Sequence, residues 1–365
     1  MATLGPNDLK QYALPPGWDA ARLSQLALAS GENYDGLVTD ITEALAIANA
    51  DLMADPIIGS LVCENPEQTV EVGTGVSNGF VDHTEYGLPD GQRGKTTGWM
   101  LEPVSKDYKF SWTWDFLRKC RRFQIDNDVQ VGMDELANVW EKTILQRLFK
   151  STYTTVGSAG KSMPVADGGT ADSTYVPWNL PARATAFAYT HDHRQNLNGI
   201  TQTNLETCVA HLWEHGIDAP YDLLIAQADV ASWSNTTNVT GYVKRADDMI
   251  RYGTQTDLAS VGPGYIAAIE TSVYGPVRVR ASARIPTTYA VLYKSYGSGD
   301  SRNVMRLAPG PLGGLGAVLL AGQYMRQYPL ENALLFLEFY LGIQDRIGAV
   351  LFKNTAGGWS DPTIV

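Results

Sequence analysis

The sequence predicts a mixed α+β fold, and three stretches carry that prediction. Residues 128–150 place apolar side chains at helical spacing, residues 108–116 alternate aromatic with polar, and residues 203–226 run as a helix through a glycine into an apolar strand. The chain has 365 residues, 44% of them hydrophobic and 18% charged, which is ordinary globular material with enough length for a sizeable core. Nothing approaches the roughly eighteen consecutive apolar residues of a membrane span. The opening "MATLGPNDLKQYALPPGWDAARL" lacks the basic and then apolar layout of a secretion signal. Cys63, Cys120 and Cys208 are scattered without pair spacing, so a reducing cytoplasm fits better than a disulfide framework. The formal net charge of −11 repels nucleic acid rather than recruiting it. Residues 1–60 hold two basic and eight acidic side chains, a local net charge of −6. That balance excludes a sequence-specific DNA binder and suits a container that must not stick to its contents.

Residues 1–60 form an arm rather than a domain, with one short helical candidate at Asp19–Ala29 and an amphipathic helix marked by Leu37, Ile41, Leu45, Ala48 and Leu52. Asp55-Pro56 ends that helix, because proline cannot continue it and restricts the residue before it. "EQTVEV" is strand-like, a Gly-rich polar tract runs from Gly73 to Gly98, and "YKFSWTWDF" alternates. In it, Tyr108, Phe110, Trp112, Trp114 and Phe116 face one way and Lys109, Ser111, Thr113 and Asp115 the other. These two strands predict an extended hairpin whose polar tip cannot bury itself and lies on something else. A long helix follows over Asp128–Lys150, striped by Met133, Leu136, Ala137, Trp140, Ile144, Leu145 and Leu148, with basic residues in its last turns favouring the helix dipole. From Thr203 onward the pattern is mixed α/β. In "VRVRASARIP", Val277, Val279, Ala281 and Ala283 oppose Arg278, Arg280, Ser282 and Arg284, and two apolar strands close the chain around Gly342–Gly348.

One motif suggests chemistry. His211, Glu214 and His215 spell H-x-x-E-H, the inverted zinc signature of a metallohydrolase class, in which the histidines bind the metal and the glutamate acts as general base. On a helical wheel with Leu205 at the origin, Cys208, Val209, Leu212 and Trp213 span about −60° to +80°. His211 and His215 then fall near −120° and −80°, at the edge of the apolar stripe, with Glu214 near 180°. Gly216 ends the helix directly after His215, which places His215 to complement the helix dipole instead. A third ligand would have to come from a distant segment such as His191-Asp192-His193. The expectation is therefore no metal and no cofactor. "GSAGKS" (157–162) lacks the first glycine of a phosphate loop, since that position is Thr155, and "PGPLGGLGAVLLAG" misses the dinucleotide spacing. Arg118, Lys119, Arg121 and Arg122 form the densest basic cluster and read as an inter-subunit or anion contact, against the alternative of a solvated element end. No nucleophile triad or carboxylate pair stands out, so no catalytic residue is assigned.

The order of parts resembles the major capsid proteins of tailed bacteriophages with the Hong Kong 97 fold. "TQTNLETCVAHLWEHGIDAPYDLLIAQADVASW" is similar to that family's opening A-domain unit, "SVYGPVRVRASARIPTTYAVLYKS" to its strand–Ile-Pro–strand segment, and "LEFYLGIQDRIGAVLFKN" to its closing strand pair. The likeness covers about residues 35–354. It implies an α+β, Hong Kong 97-like capsid fold: an N-terminal arm over 1–62, an E-loop hairpin over 63–118, a spine helix and P-domain over 119–200 completed by 340–365, and an A-domain over 201–339.

The resemblance also implies what such a chain does. It would self-assemble as hexamers and pentamers into an icosahedral or prolate phage head enclosing double-stranded DNA, built in the bacterial cytoplasm and found in the virion capsid. Scaffolding, portal and decoration proteins would be its partners, with packaged DNA touched non-specifically at most and no membrane involved. The acidic arm would face the interior, and the hairpin would drape over a neighbour with glycines at Gly73, Gly75, Gly94 and Gly98 as hinges. The aromatic face Tyr108–Phe116 would pack on the spine helix, with Lys95, Tyr108 and Trp112 joining the inter-subunit contacts. Some members carry a long N-terminal scaffolding segment that a protease removes; the short arm here implies no such cleavage and a separate scaffold, or none. Some crosslink an E-loop lysine to a neighbour's asparagine, for which Lys95 and Asn354 are this chain's pair. The alternatives are an encapsulin-like compartment shell holding cargo proteins, and a zinc hydrolase using the H-x-x-E-H segment.

Overall fold

The computed structural model describes residues 34–74, 95–158, 160–168, 192–244, 264–311, 314–320 and 330–364. The chain divides into two compact units, one of residues 1–54, 104–141 and 309–339, the other of residues 55–103, 142–308 and 340–365. The helix expected at Asp19–Ala29 and the proposed hinges Gly75 and Gly94 lie outside the described residues.

In the first unit, the amphipathic segment forms the helix Tyr34–Ala54 and buries Ile41, Leu45 and Leu52, as its spacing predicts. Asn49 on this helix pins the strand Ala317–Leu320: its Nδ2 donates to the Ala317 carbonyl and its Oδ1 accepts from the Ala317 N–H, both at 2.9 Å. Gly316 precedes that strand at φ 109°, and a Cβ there would lie 2.6 Å from the Asn49 carboxamide, so only glycine fits. The strand Ala317–Leu320 pairs antiparallel with Leu330–Ile343, from Ala317 opposite Leu337 to Leu320 opposite Leu334.

The aromatic alternation belongs to a strand, Glu102–Thr113, that begins earlier and ends sooner than the pattern predicts. Thr113 accepts a hydrogen bond from the Phe116 N–H at 3.1 Å and caps a short helix, Trp114–Lys119. Trp114 and Phe116 are therefore helical residues, a correction to the sequence expectation. Phe110 and Trp112 are buried with their rings stacked 5.5 Å apart, and Tyr108 meets Phe110 edge-on at 5.1 Å. This face lies on the long helix, which spans Arg122–Phe149 rather than starting at Asp128. Trp112 Nε1 donates to Asp128 at 3.0 Å, and Gly132 makes room for the Phe110 ring. Ile125, Val129, Leu136 and Trp140 extend the buried stripe, with Trp140 against Phe339 at 4.7 Å.

The second unit is built on a seven-stranded sheet. Its spatial order is Arg194–Asn196, Ala349–Lys353, Tyr289–Tyr293, Tyr221–Ala226, Pro276–Ser282, Ala267–Glu270 and Tyr242–Lys244. Tyr221–Ala226 is buried at every residue and pairs parallel with Pro276–Ser282, which explains its unbroken apolar run. The alternation of 277–284 stops at Ser282, and both faces are used: Val277 and Val279 enter the core, while Arg280 is also buried, stacked on Tyr265. The helix Gln202–Glu214 covers the sheet with Leu205, Cys208, Val209 and Leu212, all fully buried.

The hairpin strands are Thr69–Thr74 and Lys95–Met100, so the partner of "EQTVEV" is not the aromatic strand the sequence suggested. Gly98 permits this pairing, since a Cβ there would sit 2.9 Å from the Val70 carbonyl. "GSAGKS" belongs to a second small hairpin, Thr154–Val156 with Gly160–Ser162. The last turn of the long helix holds Arg147, a basic residue as expected. Arg147 is buried, and its Nη2 donates to Ser162 Oγ and the Met163 carbonyl at 2.8 and 2.7 Å. Burial pulls its guanidinium down to about 10, with Glu102, 3.6 Å from Nε, opposing that fall.

Candidate functional site

Two groups of side chains bear on function, one in each unit. In the first unit, the helix Trp114–Lys119 presents Arg118 and Lys119 one turn after Asp115. Lys119 Nζ lies 2.7 Å and Arg118 Nη2 3.5 Å from that carboxylate, and the Lys119 hydrogen bond holds the Asp115 carboxyl below its usual range. Arg122 opens the long helix and bridges Asp126 at 2.7 Å and Asp40 at 3.0 Å. Three of the four, Arg118, Lys119 and Arg122, thus meet three carboxylates, Asp40, Asp115 and Asp126, and much of the cluster's charge is compensated within its own unit. Arg118, Lys119 and Arg121 remain exposed, as does Phe123 beside them at 78%. A surface cluster with an exposed aromatic at its edge suits contact with a protein better than capture of a free anion.

Tyr108 and Trp112 part company. Trp112 is buried within its own unit, whereas Tyr108 is 37% exposed and lines an apolar groove of about 400 Å³ with Val131, Leu136, Val139, Leu335 and Leu337. Lys106, Asp107 and Glu135 supply the groove's charged groups. Lys95 opens its strand opposite Thr74, with its side chain outside the described atoms. Asn354 follows the strand Ala349–Lys353 and is buried, and neither carboxamide atom has a hydrogen bond among the described residues.

The histidine segment lies in the second unit. Thr201 caps the helix by accepting from the Asn204 N–H at 3.1 Å, and Gly216, at φ 81°, ends it. His215 is the C-terminal cap and is buried. The parallel pairing of Arg194–Asn196 with Leu351–Lys353 brings His193 beneath it, so the two Nε2 atoms stand 2.9 Å apart. His193 Nδ1 faces the Ala349 carbonyl at 3.0 Å. A carbonyl only accepts, so Nδ1 carries the hydrogen and Nε2 offers a lone pair to the Nε2–H of His215. The His211 ring lies 5.8 Å from that of His193, and its pKa is lowered by burial against the pull of Asp192. Burial raises the Glu214 carboxyl and the Cys208 thiol. Among the described residues no group of three or more His, Cys, Asp or Glu donors converges as a metal requires, and His191 lies outside them. Of the H-x-x-E-H residues, His215 pairs with His193, which comes from a distant segment. What the sequence did not reveal was the His193–His215 contact itself, although it named the segment that provides it.

No family model and no curated protein matches the sequence. Solved structures do, and they define the class of fold: the chain has the Hong Kong 97 fold, as the sequence implied. The likeness that carries this is to a structure from Mycobacterium phage Patience, with a TM-score of 0.59 at 20% identity over 91% of each chain. The capsid of Ralstonia phage GP4 matches at a TM-score of 0.47 and 10% identity, over 82% of this chain and 90% of that one. The holo-SrpI encapsulin complex of Synechococcus elongatus PCC 7942 matches at 0.43 and 12%, over 82% and 86%. No helix among the described residues is long and apolar enough to cross a membrane.

Proposed function

We propose that this chain is a major capsid protein, self-assembling as hexamers and pentamers into a phage head around double-stranded DNA. The observation that carries this reading is the fold, shared over 91% of both chains with the Mycobacterium phage Patience structure. The acidic balance of −11 supports it, because a shell's inner wall must not bind the DNA it holds. So does the surface of the first unit, where exposed Phe123, Tyr108 and Val131 sit among charges that suit a protein neighbour. In this reading Arg118, Lys119, Arg121, Arg122 and Tyr108 touch adjacent subunits. Lys95 and Asn354 of neighbouring copies would be the crosslinking pair, the amine replacing the carboxamide nitrogen and releasing ammonia. Scaffolding, portal and decoration proteins are its partners and the virion capsid its location, after assembly in the bacterial cytoplasm. Its work is assembly, not catalysis.

Reversing the exposed charges tests the surface. The Arg118→Glu, Lys119→Glu double variant is expected to keep an unfolding midpoint close to that of the wild type, because pairs this exposed are screened by solvent. Its sedimentation profile should shift from large particles to small species. Unimpaired assembly of that variant refutes the assigned contact. A covalent ladder on a denaturing gel, lost in Asn354→Ala, tests the crosslink.

A further inference from the structure

We propose that the outward face of the helix Tyr34–Ala54 is a docking surface for a second copy of this chain, whose Phe123 seats on Ile47 between opposite charges. The contact belongs to the assembly proposed above and rests on that reading. Within the chain the helix turns Ile41, Leu45 and Leu52 inward. On a wheel of 100° per residue the opposite face centres on Ile47, with Ala44 at about +60° and Ala50 at about −60°. Asp40, Glu43 and Asp51 lie within about 40° of the same line. All six are exposed, Ile47 at 66%. The outward face of a surface helix is ordinarily polar along its middle, so an isoleucine bedded there among alanines marks a face that another surface covers.

Charge selects the occupant. The helix carries four carboxylates and no basic side chain. The complementary set stands where the long helix begins. There Arg118, Lys119 and Arg121 are exposed, and Phe123 stands beside them at 78%. Arg118 and Lys119 share a single carboxylate, Asp115. Among the described residues Arg121, Glu43 and Asp51 have no ion pair. One unit thus carries an apolar centre flanked by acid and another flanked by base. Arg122 and Asp40 join the two sets within the chain at 3.0 Å, which leaves both Phe123 and Ile47 uncovered. A second copy brings the missing half of each. Its basic groups would meet Glu43 and Asp51, and the opposed charges fix the register of Phe123 on Ile47.

Charge exchange and cysteine pairing test the contact on the full chain, where the wild type sediments as particles. Glu43→Lys with Asp51→Lys, and separately Arg118→Glu with Lys119→Glu and Arg121→Glu, should each lower the particle fraction about 10-fold. Unfolding midpoints should stay close to that of the wild type, because every changed side chain is exposed. The chain carrying all five substitutions should return to within about 3-fold of the wild-type fraction, since its charges are exchanged rather than lost.

The native cysteines are all buried, so new surface thiols report the contact cleanly. Phe123→Cys and Ile47→Cys chains, mixed and oxidised by dioxygen with a copper catalyst, should give a two-chain band at least about 5-fold stronger than either chain alone. If a cysteine variant does not assemble, charge exchange decides alone. Particles without that band, a band as strong in either chain alone, or five substitutions that recover nothing overturns the docking while assembly stands, and gives the face to a different protein. A wild-type chain that forms no particles, with no band in the mixture, overturns the assembly reading and the docking with it.

Discussion

Gly132 decides how close the aromatic strand can lie to the long helix, and replacing it sets two known effects against each other. Alanine in a helix interior is favoured over glycine by about 1 kcal/mol. A Cβ at residue 132, however, would stand 2.5 Å from Phe110 Cζ, 3.0 Å from Cε1 and 3.3 Å from Tyr108 Cε1. Phe110 cannot swing aside, because it is 4% exposed and stacked on Trp112, which Asp128 holds by a 3.0 Å hydrogen bond. Overpacking of this kind costs about 1–3 kcal/mol, so sterics should win and Gly132→Ala should destabilise by about 1 kcal/mol. The Phe110→Ala change alone removes a buried ring at a cost of about 3–5 kcal/mol. With the ring gone, only the helix preference remains, and Gly132→Ala should now stabilise by up to about 1 kcal/mol. The full cycle, followed by urea denaturation with exchange at 122–141 as the local readout, should therefore show a sign reversal worth about 2 kcal/mol of coupling. Equal effects of Gly132→Ala in both backgrounds would refute the packing argument.

Two further outcomes follow. Glu102→Ala removes the carboxylate nearest the buried Arg147 guanidinium, at 3.6 Å. Because Glu102 is 27% exposed and so partly screened, the loss should be about 1–3 kcal/mol, below that of a fully buried pair, read as a lower urea midpoint. His211 has its pKa lowered by burial, so the unfolded chain binds its proton first. The stability linked to it is complete above about pH 6.5 and drains as pH falls through the lower folded value. His211→Gln should shrink the acid loss of thermal stability below about pH 6.5, and an unchanged pH profile would contradict the assignment.

Helical spacing made much of this fold legible, and period-two spacing less. Ile41, Leu45 and Leu52 marked their helix correctly because one buried face leaves a clear stripe. Leu205, Cys208, Val209 and Leu212 did the same for the histidine helix. The aromatic run misled because Trp114 and Phe116 continue an alternation that the Thr113 cap interrupts. Thr113, Asp115 in the first turn and Arg118 and Lys119 in the last were the available helix signals, and the alternation masked them. The hairpin partner was missed because "KTTGWM" carries two threonines and a glycine before its tryptophan rather than a strong apolar rhythm. The burial of Arg147 left no mark in the helical spacing, because its partners Ser162 and Met163 come from the segment after the helix. The imidazole pair was invisible for the same kind of reason. It depends on the parallel pairing of 194–196 with 351–353, a contact between distant parts of the chain.

Electron microscopy of the concentrated protein, alone and with any scaffold, decides whether the chain assembles. Closed shells whose subunits cluster in sixes and fives are the expected result. A chain that stays monomeric under every condition, forming neither capsomers nor shells, would contradict it.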